Sequence, residues 1–118
     1  MLTRTRADKA LDDALKALFP RVEAGVVDSK LASEDLPVVS WDMLGGVTQE
    51  PVSKRGRGVL QSLSYRIDFI DEDRATAYAC ADKAHQALAK WAPQYAGGGR
   101  PVGTNMYAAT ISVTIRSV

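Results

Sequence analysis

The strongest constraint on this chain is the stretch from Val59 to Asp71. There Val59, Leu63, Tyr65, Ile67 and Phe69 fall on one side of an extended backbone, and Ser62, Ser64, Arg66 and Asp68 fall on the other. A period of two predicts a long strand with one buried face. At about 3.3 Å per residue it runs for roughly 40 Å, against a diameter of about 35 Å expected for a compact domain of this size. Such a strand overhangs its own core and needs a partner beyond it. This points towards an assembly protein and away from an enzyme sufficient in itself.

The 118 residues suit one domain, spanning 1–118, that buries a core without a covalent staple. Lys and Arg number 15 and Asp and Glu 14, a net charge of +1. The global positive charge of a dedicated nucleic-acid binder is absent, so any contact with DNA must be local. The single cysteine, Cys80, excludes an internal disulfide and sits within a helical pattern, where it reads as a small packed hydrophobe in a reducing compartment. No apolar run has the length to span a bilayer, and the opening Met-Leu-Thr-Arg-Thr-Arg-Ala-Asp carries charges where a signal peptide needs an apolar segment. The expectation is a soluble cytoplasmic product with no membrane contact.

Before the long strand, Ala7, Leu11, Ala14, Leu15 and Leu18 recur at helical spacing from Thr3 to Phe19, with Thr5 and Asp8 as a cap and Pro20 as the stop. Residues 21–36 read as a connector, in which Val22, Val26 and Val27 are the only candidates for a brief strand. Leu36 to Met43 predicts a strand opened by Pro37, with Val39, Trp41 and Met43 on one face. Residues 44–58 then form a long loop or hairpin extension, and Lys54, Arg55 and Arg57 make it the densest positive charge in the chain. This segment is either a solvated hairpin tip or a loop that orders against a neighbouring subunit or DNA phosphates.

After the long strand, Glu72 to Trp91 predicts a helix with Ala77, Ala81, Ala84, Leu88 and Trp91 as its apolar stripe, Tyr78 and His85 at the border, and Pro93 beyond. The acids Asp71, Glu72 and Asp73 read as caps of its first turn and not as a metal site. His85 has no Cys, second His or spaced acid to complete a ligand set. The run Gly97-Gly98-Gly99-Arg100-Pro101 lacks the preceding strand and following helix of a phosphate loop, and predicts a flexible turn. A last strand alternates Tyr107, Ala109, Ile111, Val113 and Ile115 with Thr110, Ser112, Thr114 and Arg116. No nucleophile beside a histidine, no carboxylate pair in an apolar setting and no metal-ligand spacing occurs, so neither an enzyme nor a cofactor is expected.

These elements predict an α+β fold: two helices packed on one face of a largely antiparallel sheet, in the order α-β-β-α-β, as a two-layer sandwich. Ser62, Ser64, Arg66, Thr110, Ser112 and Thr114 would make the other sheet face small and polar.

The layout resembles the tail terminator or tail completion proteins of long-tailed bacteriophages, including the lambda-type minor tail protein that caps the tail tube. The likeness lies in the opening helix ending near Phe19-Pro20, in Leu36-Pro37-Val38-Val39-Ser40-Trp41, in Leu63-Ser64-Tyr65-Arg66-Ile67-Asp68-Phe69, in Asp73-Arg74-Ala75-Thr76-Ala77, and in the Ser/Thr-alternating final strand. It covers nearly the whole chain as a pattern of elements, but does not extend to the basic 54–57 run or the 97–100 run. The resemblance implies a virion protein, assembled in the host cytoplasm. It would form a hexameric ring with copies of itself, cap the tail tube at its head-proximal end, stop its polymerisation and present the head-joining surface. Its partners would be the tail tube protein and the head-tail connector or neck proteins. On that reading Lys54, Arg55, Arg57, Leu60, Ser62, Ser64 and Arg66 are candidates for the subunit interface or for a lumen that contacts phage DNA. The alternatives are another neck protein, such as a head completion or connector component, or a small cytoplasmic ligand-binding domain.

Overall fold

The alternation of residues 59–71 becomes β3 (Val59–Asp71), a 13-residue strand on which Leu63, Tyr65, Ile67 and Phe69 are at most 1 % exposed. The computed structural model describes residues 2–25, 37–49, 59–101 and 106–116. Within them lie α1 (Arg4–Lys16), β1 (Val22–Ala24), β2 (Val38–Gln49), β3, α2 (Arg74–Ala87), a 3-10 turn (Ala89–Trp91), β4 (Gln94–Pro101) and β5 (Tyr107–Arg116). The protein is mixed α+β, with a five-stranded sheet ordered β1-β2-β3-β5-β4. β1 runs parallel to β2, and the other neighbours are antiparallel. The expected order of elements is therefore incomplete. Two further strands, β1 and β4, flank the three that alternation revealed.

β1 pairs Val22 with Val39 and Ala24 with Trp41; Val26 and Val27 lie outside the described residues. Gly25 turns the chain out of the strand at φ +86, a conformation that a side chain would strain. Its N–H donates to the Trp41 carbonyl at 2.7 Å, and its own carbonyl accepts from the Ser40 hydroxyl.

β4 (Gln94–Pro101) replaces the flexible turn expected at Gly97-Gly98-Gly99-Arg100-Pro101. An edge strand needs only backbone groups to pair, and the glycines supply them with two register shifts along β5. Tyr78 of α2 lies over Gly98, where an added Cβ would come within 3.1 Å of the ring. Tyr95 stacks on His85 with centroids 4.5 Å apart and donates to Asp82 at 2.6 Å. The border of α2 thus holds the edge strand.

Both helices contribute to one apolar cluster with residues of the sheet. Ala7, Leu11 and Leu15 from α1 and Ala77, Ala81 and Ala84 from α2 join Val39, Tyr65, Phe69, Ile111 and Val113. α1 is capped by Thr3, whose hydroxyl accepts from the Arg6 N–H at 3.2 Å. Thr5, the expected cap, already lies inside the helix. On the outer side Lys9–Asp13 and Lys16–Asp12 form ion pairs at 2.9 and 2.7 Å. α2 begins later than expected because residues 71–73 form its capping turn. Asp71 accepts from the Asp73 N–H, and Asp73 accepts from the Ala75 N–H and the Thr76 hydroxyl. The helix gives way to the 3-10 turn after Leu88, and Ala92 closes that turn in a left-handed conformation at φ 48.

The opposite sheet face departs from the polar surface expected of it. Val38, Ile70, Met106 and Ala108 form a second buried cluster, and Ser40 and Thr110 are also buried. The Thr110 hydroxyl donates to Asp68 at 2.5 Å, which meets its hydrogen-bonding need away from water. Only towards the arm described below does this face become the Ser/Thr/Arg surface of the expectation.

The Cα radius of gyration is 15.8 Å and the extents are 54 × 26 × 22 Å, where a compact chain of this length would have a radius of about 13.5 Å. No helix among the described residues is long and apolar enough to cross a membrane.

Candidate subunit interface

The excess length lies in the β2–β3 hairpin. Among the described residues β1 covers β2 only from Val39 to Trp41, and β5 follows β3 only as far as Ser62, opposite Arg116. β2 continues against β3 through Gly46↔Leu63 and Val47↔Ser62 to Gln49↔Val59. Residues 44–49 of the segment expected to be a long loop or hairpin extension are therefore strand; residues 50–58 lie outside the described residues. The outer edge of β2 over 42–49 has no partner strand among the described residues. At about 3.4 Å per residue it presents roughly 25 Å of backbone donors and acceptors.

Two irregularities shape this arm. Met43 pairs with Tyr65 and Gly45 with Ser64, leaving Leu44 as an extra residue, and a second shift falls between Val47 and Thr48. Bulges of this kind add twist and redirect a side chain. Leu44 is accordingly 60 % exposed on the outer strand of the arm. Sequence reasoning missed it, and the Leu-Gly-Gly break in the alternation of β2 was the available signal.

Of the residues singled out in sequence, Ser62, Ser64 and Arg66 lie on β3 and alternate there with the buried Leu63, Tyr65 and Ile67. Ser64 meets Thr114 at 3.4 Å, Arg66 pairs with Asp68 at 3.2 Å, and Asp42, Ser112, Thr114 and Arg116 are their cross-strand neighbours. Leu60 lies opposite Thr48 in the arm. Lys54, Arg55 and Arg57 lie outside the described residues. The structure thus gathers Ser62, Ser64 and Arg66 into one polar patch beside the arm.

Two open grooves flank α1. One, of about 430 Å³, runs between the end of α1 and the first half of α2 and is lined mainly by apolar groups, among them Leu18, Phe19, Pro20, Ala79 and Cys80. Its floor rests on the Phe19 ring, which packs 5.5 Å from that of Phe69. Lys83 stands at its rim, donating to the Leu18 carbonyl at 3.0 Å with its ammonium 5.2 Å from the Phe19 ring centre. Burial, helped by the charge of Asp71, pushes the Cys80 thiol up from its ordinary value and disfavours the thiolate.

The other groove, of about 470 Å³, runs along α1 beside Val22, Ala24 and Trp41. Its carboxylates are engaged: Asp8 accepts from the Tyr65 phenol at 2.5 Å and Asp12 from Trp41 Nε1 at 3.1 Å. The hydrogen bond from Lys16 holds Asp12 below the ordinary carboxylate range against the opposing effect of burial, with Trp41 adding to the lowering. No cluster of His, Cys, Asp and Glu fit to hold a metal occurs among the described residues.

No protein-family model matches the chain, and no curated protein matches its sequence.

Proposed function

We propose that this chain is a structural subunit that assembles with copies of itself, the β2–β3 arm of one copy reaching its neighbour, into a closed ring. The observation that carries this reading is the outer edge of β2 over 42–49, which no described strand covers. An uncovered edge is a template for a strand from another chain. Repetition of one head-to-tail contact yields a ring when the rotation per subunit divides a full turn.

The resemblance to phage tail terminators supplies the setting. The two-layer arrangement, with the helices outside one sheet face, is part of that reading. The ring is hexameric, sits on the head-proximal end of the tail tube, stops its growth and offers the surface on which the neck proteins seat. The polar patch of Ser62, Ser64 and Arg66 then faces a neighbour or the lumen, and the basic residues Lys54, Arg55 and Arg57 meet DNA or the tube.

The test is the native mass in solution together with an image along the symmetry axis. The expected result is a six-fold ring with an open centre, lost when residues 48–57 are deleted. A monomer at all concentrations, or an unchanged ring after the deletion, overturns the reading. In a phage carrying this gene, its loss should give overlong tail tubes; tails of normal length with leaky heads would indicate a neck component instead.

A further inference from the structure

The arm carries a hydrophobic knob, and the body carries an apolar groove suited to receive it. Leu44 is held out by the bulge at the β2 edge and is 60 % exposed, one of three large hydrophobic residues so exposed among the described residues. Gly45 follows it, yet a Cβ there would meet nothing within 4 Å and its φ does not require glycine. Among the described residues nothing requires this residue to be small. A glycine on an uncovered edge does allow another backbone to approach closely.

The groove lies elsewhere on the body. It is framed by Leu18, Phe19, Pro20, Ala75, Ala79 and Cys80, and Phe19 packs on Phe69. Phe69 is paired with Val39, near the start of β2, whereas Leu44 lies beside Tyr65 and Ser64 towards the arm. Knob and groove are therefore distinct patches, and a contact between them is head-to-tail, which repeats from copy to copy.

Charge agrees with this pairing. Asp42 is exposed two residues from the knob; among the described residues its carboxylate accepts from the Met43 N–H and forms no ion pair, the guanidinium of Arg66 opposite it on β3 being paired with Asp68. The groove's rim holds the Lys83 ammonium, and no carboxylate lines it.

We propose that Leu44 of one copy inserts into the Phe19–Cys80 groove of the next, with Asp42 set beside Lys83, and that the occupant of this groove is a second copy of the chain. The inference rests on the self-assembly reading above and names the contact that carries it.

Cys80 makes the contact directly testable. Leu44→Cys in the otherwise native chain should give, on oxidation, a ladder of covalent dimers and larger multimers on a non-reducing gel, and Cys80→Ala in the same background should abolish it. Leu44→Glu, at an exposed position that leaves the core intact, should keep the circular dichroism of the parent and weaken association by about tenfold or more. Leu44→Met should associate as the parent does. If the parent assembles but Leu44→Cys gives no ladder and Leu44→Glu keeps the parent's mass, the groove contact is overturned while self-assembly stands. A cross-link within a single chain also overturns it. A parent that stays monomeric overturns both.

Discussion

The phenol of Tyr65, in the middle of β3, donates a 2.5 Å hydrogen bond to Asp8 on α1, across 57 positions of sequence. It fixes the helix to the sheet at a point where the ring is otherwise enclosed, packed edge-on against Trp41 at 5.8 Å. Trp41 repeats the arrangement one turn further along the helix, donating to Asp12.

Tyr65→Phe should therefore cost about 2 kcal/mol near neutral pH, since a hydrogen bond to a carboxylate is lost with little change of shape. The effect has a pH signature. Burial, together with the hydrogen bond and negative charge of Asp8, raises the phenol well above its ordinary value of 10.0. In the unfolded chain the phenol ionises near that ordinary value, while the folded chain retains the proton. The contribution to stability is thus fully present below about pH 10 and is lost as pH rises further. Urea unfolding at about pH 8 and about pH 11 should show the parent losing more stability over that interval than Tyr65→Phe. Equal losses would contradict the assignment.

Asp73→Ala removes both the carboxylate that accepts from the Ala75 N–H at 3.3 Å and the partner of the Thr76 hydroxyl at 2.9 Å. A cap of this kind contributes about 1 kcal/mol, and thermal or urea unfolding should register a loss of that size. Asp73→Asn, which keeps an acceptor at the cap, should recover most of it.

Ala81→Leu should destabilise the fold by about 1–3 kcal/mol, by overpacking. Ala81 is 2 % exposed in the stripe that α2 lays against the sheet, with Ala77 and Ala84 fully buried beside it. Small side chains at these positions let the helix approach β3 and β5 closely. Ala87→Leu, at an exposed position on the same helix, is the control and should fall within about 0.5 kcal/mol of the parent.

Ala92→Gly should stabilise the chain by up to about 1 kcal/mol. Ala92 sits at φ 48 and ψ 58 where the 3-10 turn closes, a conformation that costs a residue with a Cβ about that much or more. The gain is partly offset by the greater backbone freedom of glycine in the unfolded state. A change to a residue such as Val at this position should move the unfolding midpoint in the opposite direction.

Sequence alone determined the elements whose side chains report their own surroundings. The alternation of β3 marks its bounds at Val59 and Asp71 because one face of a strand in a sheet is buried and the other is not, and the same reason makes β5 readable. The stripes of Leu11 and Leu15, and of Ala77, Ala81 and Ala84, identify the helix faces, and Asp73 announces its cap by local chemistry alone. Only the tertiary structure decided the continuation of β2 through Leu44-Gly45-Gly46, the parallel pairing of β1 and the recruitment of the glycine run into β4. These segments are held by backbone hydrogen bonds to strands distant in sequence, and such bonds leave no side-chain period to read. The second apolar cluster was hidden for a related reason. Val38, Ile70 and Ala108 come from three strands, and only their register brings them side by side. Leu44 combines both cases: its type was plain from the start, but its outward position depends on a bulge that exists only because β3 pairs beside it.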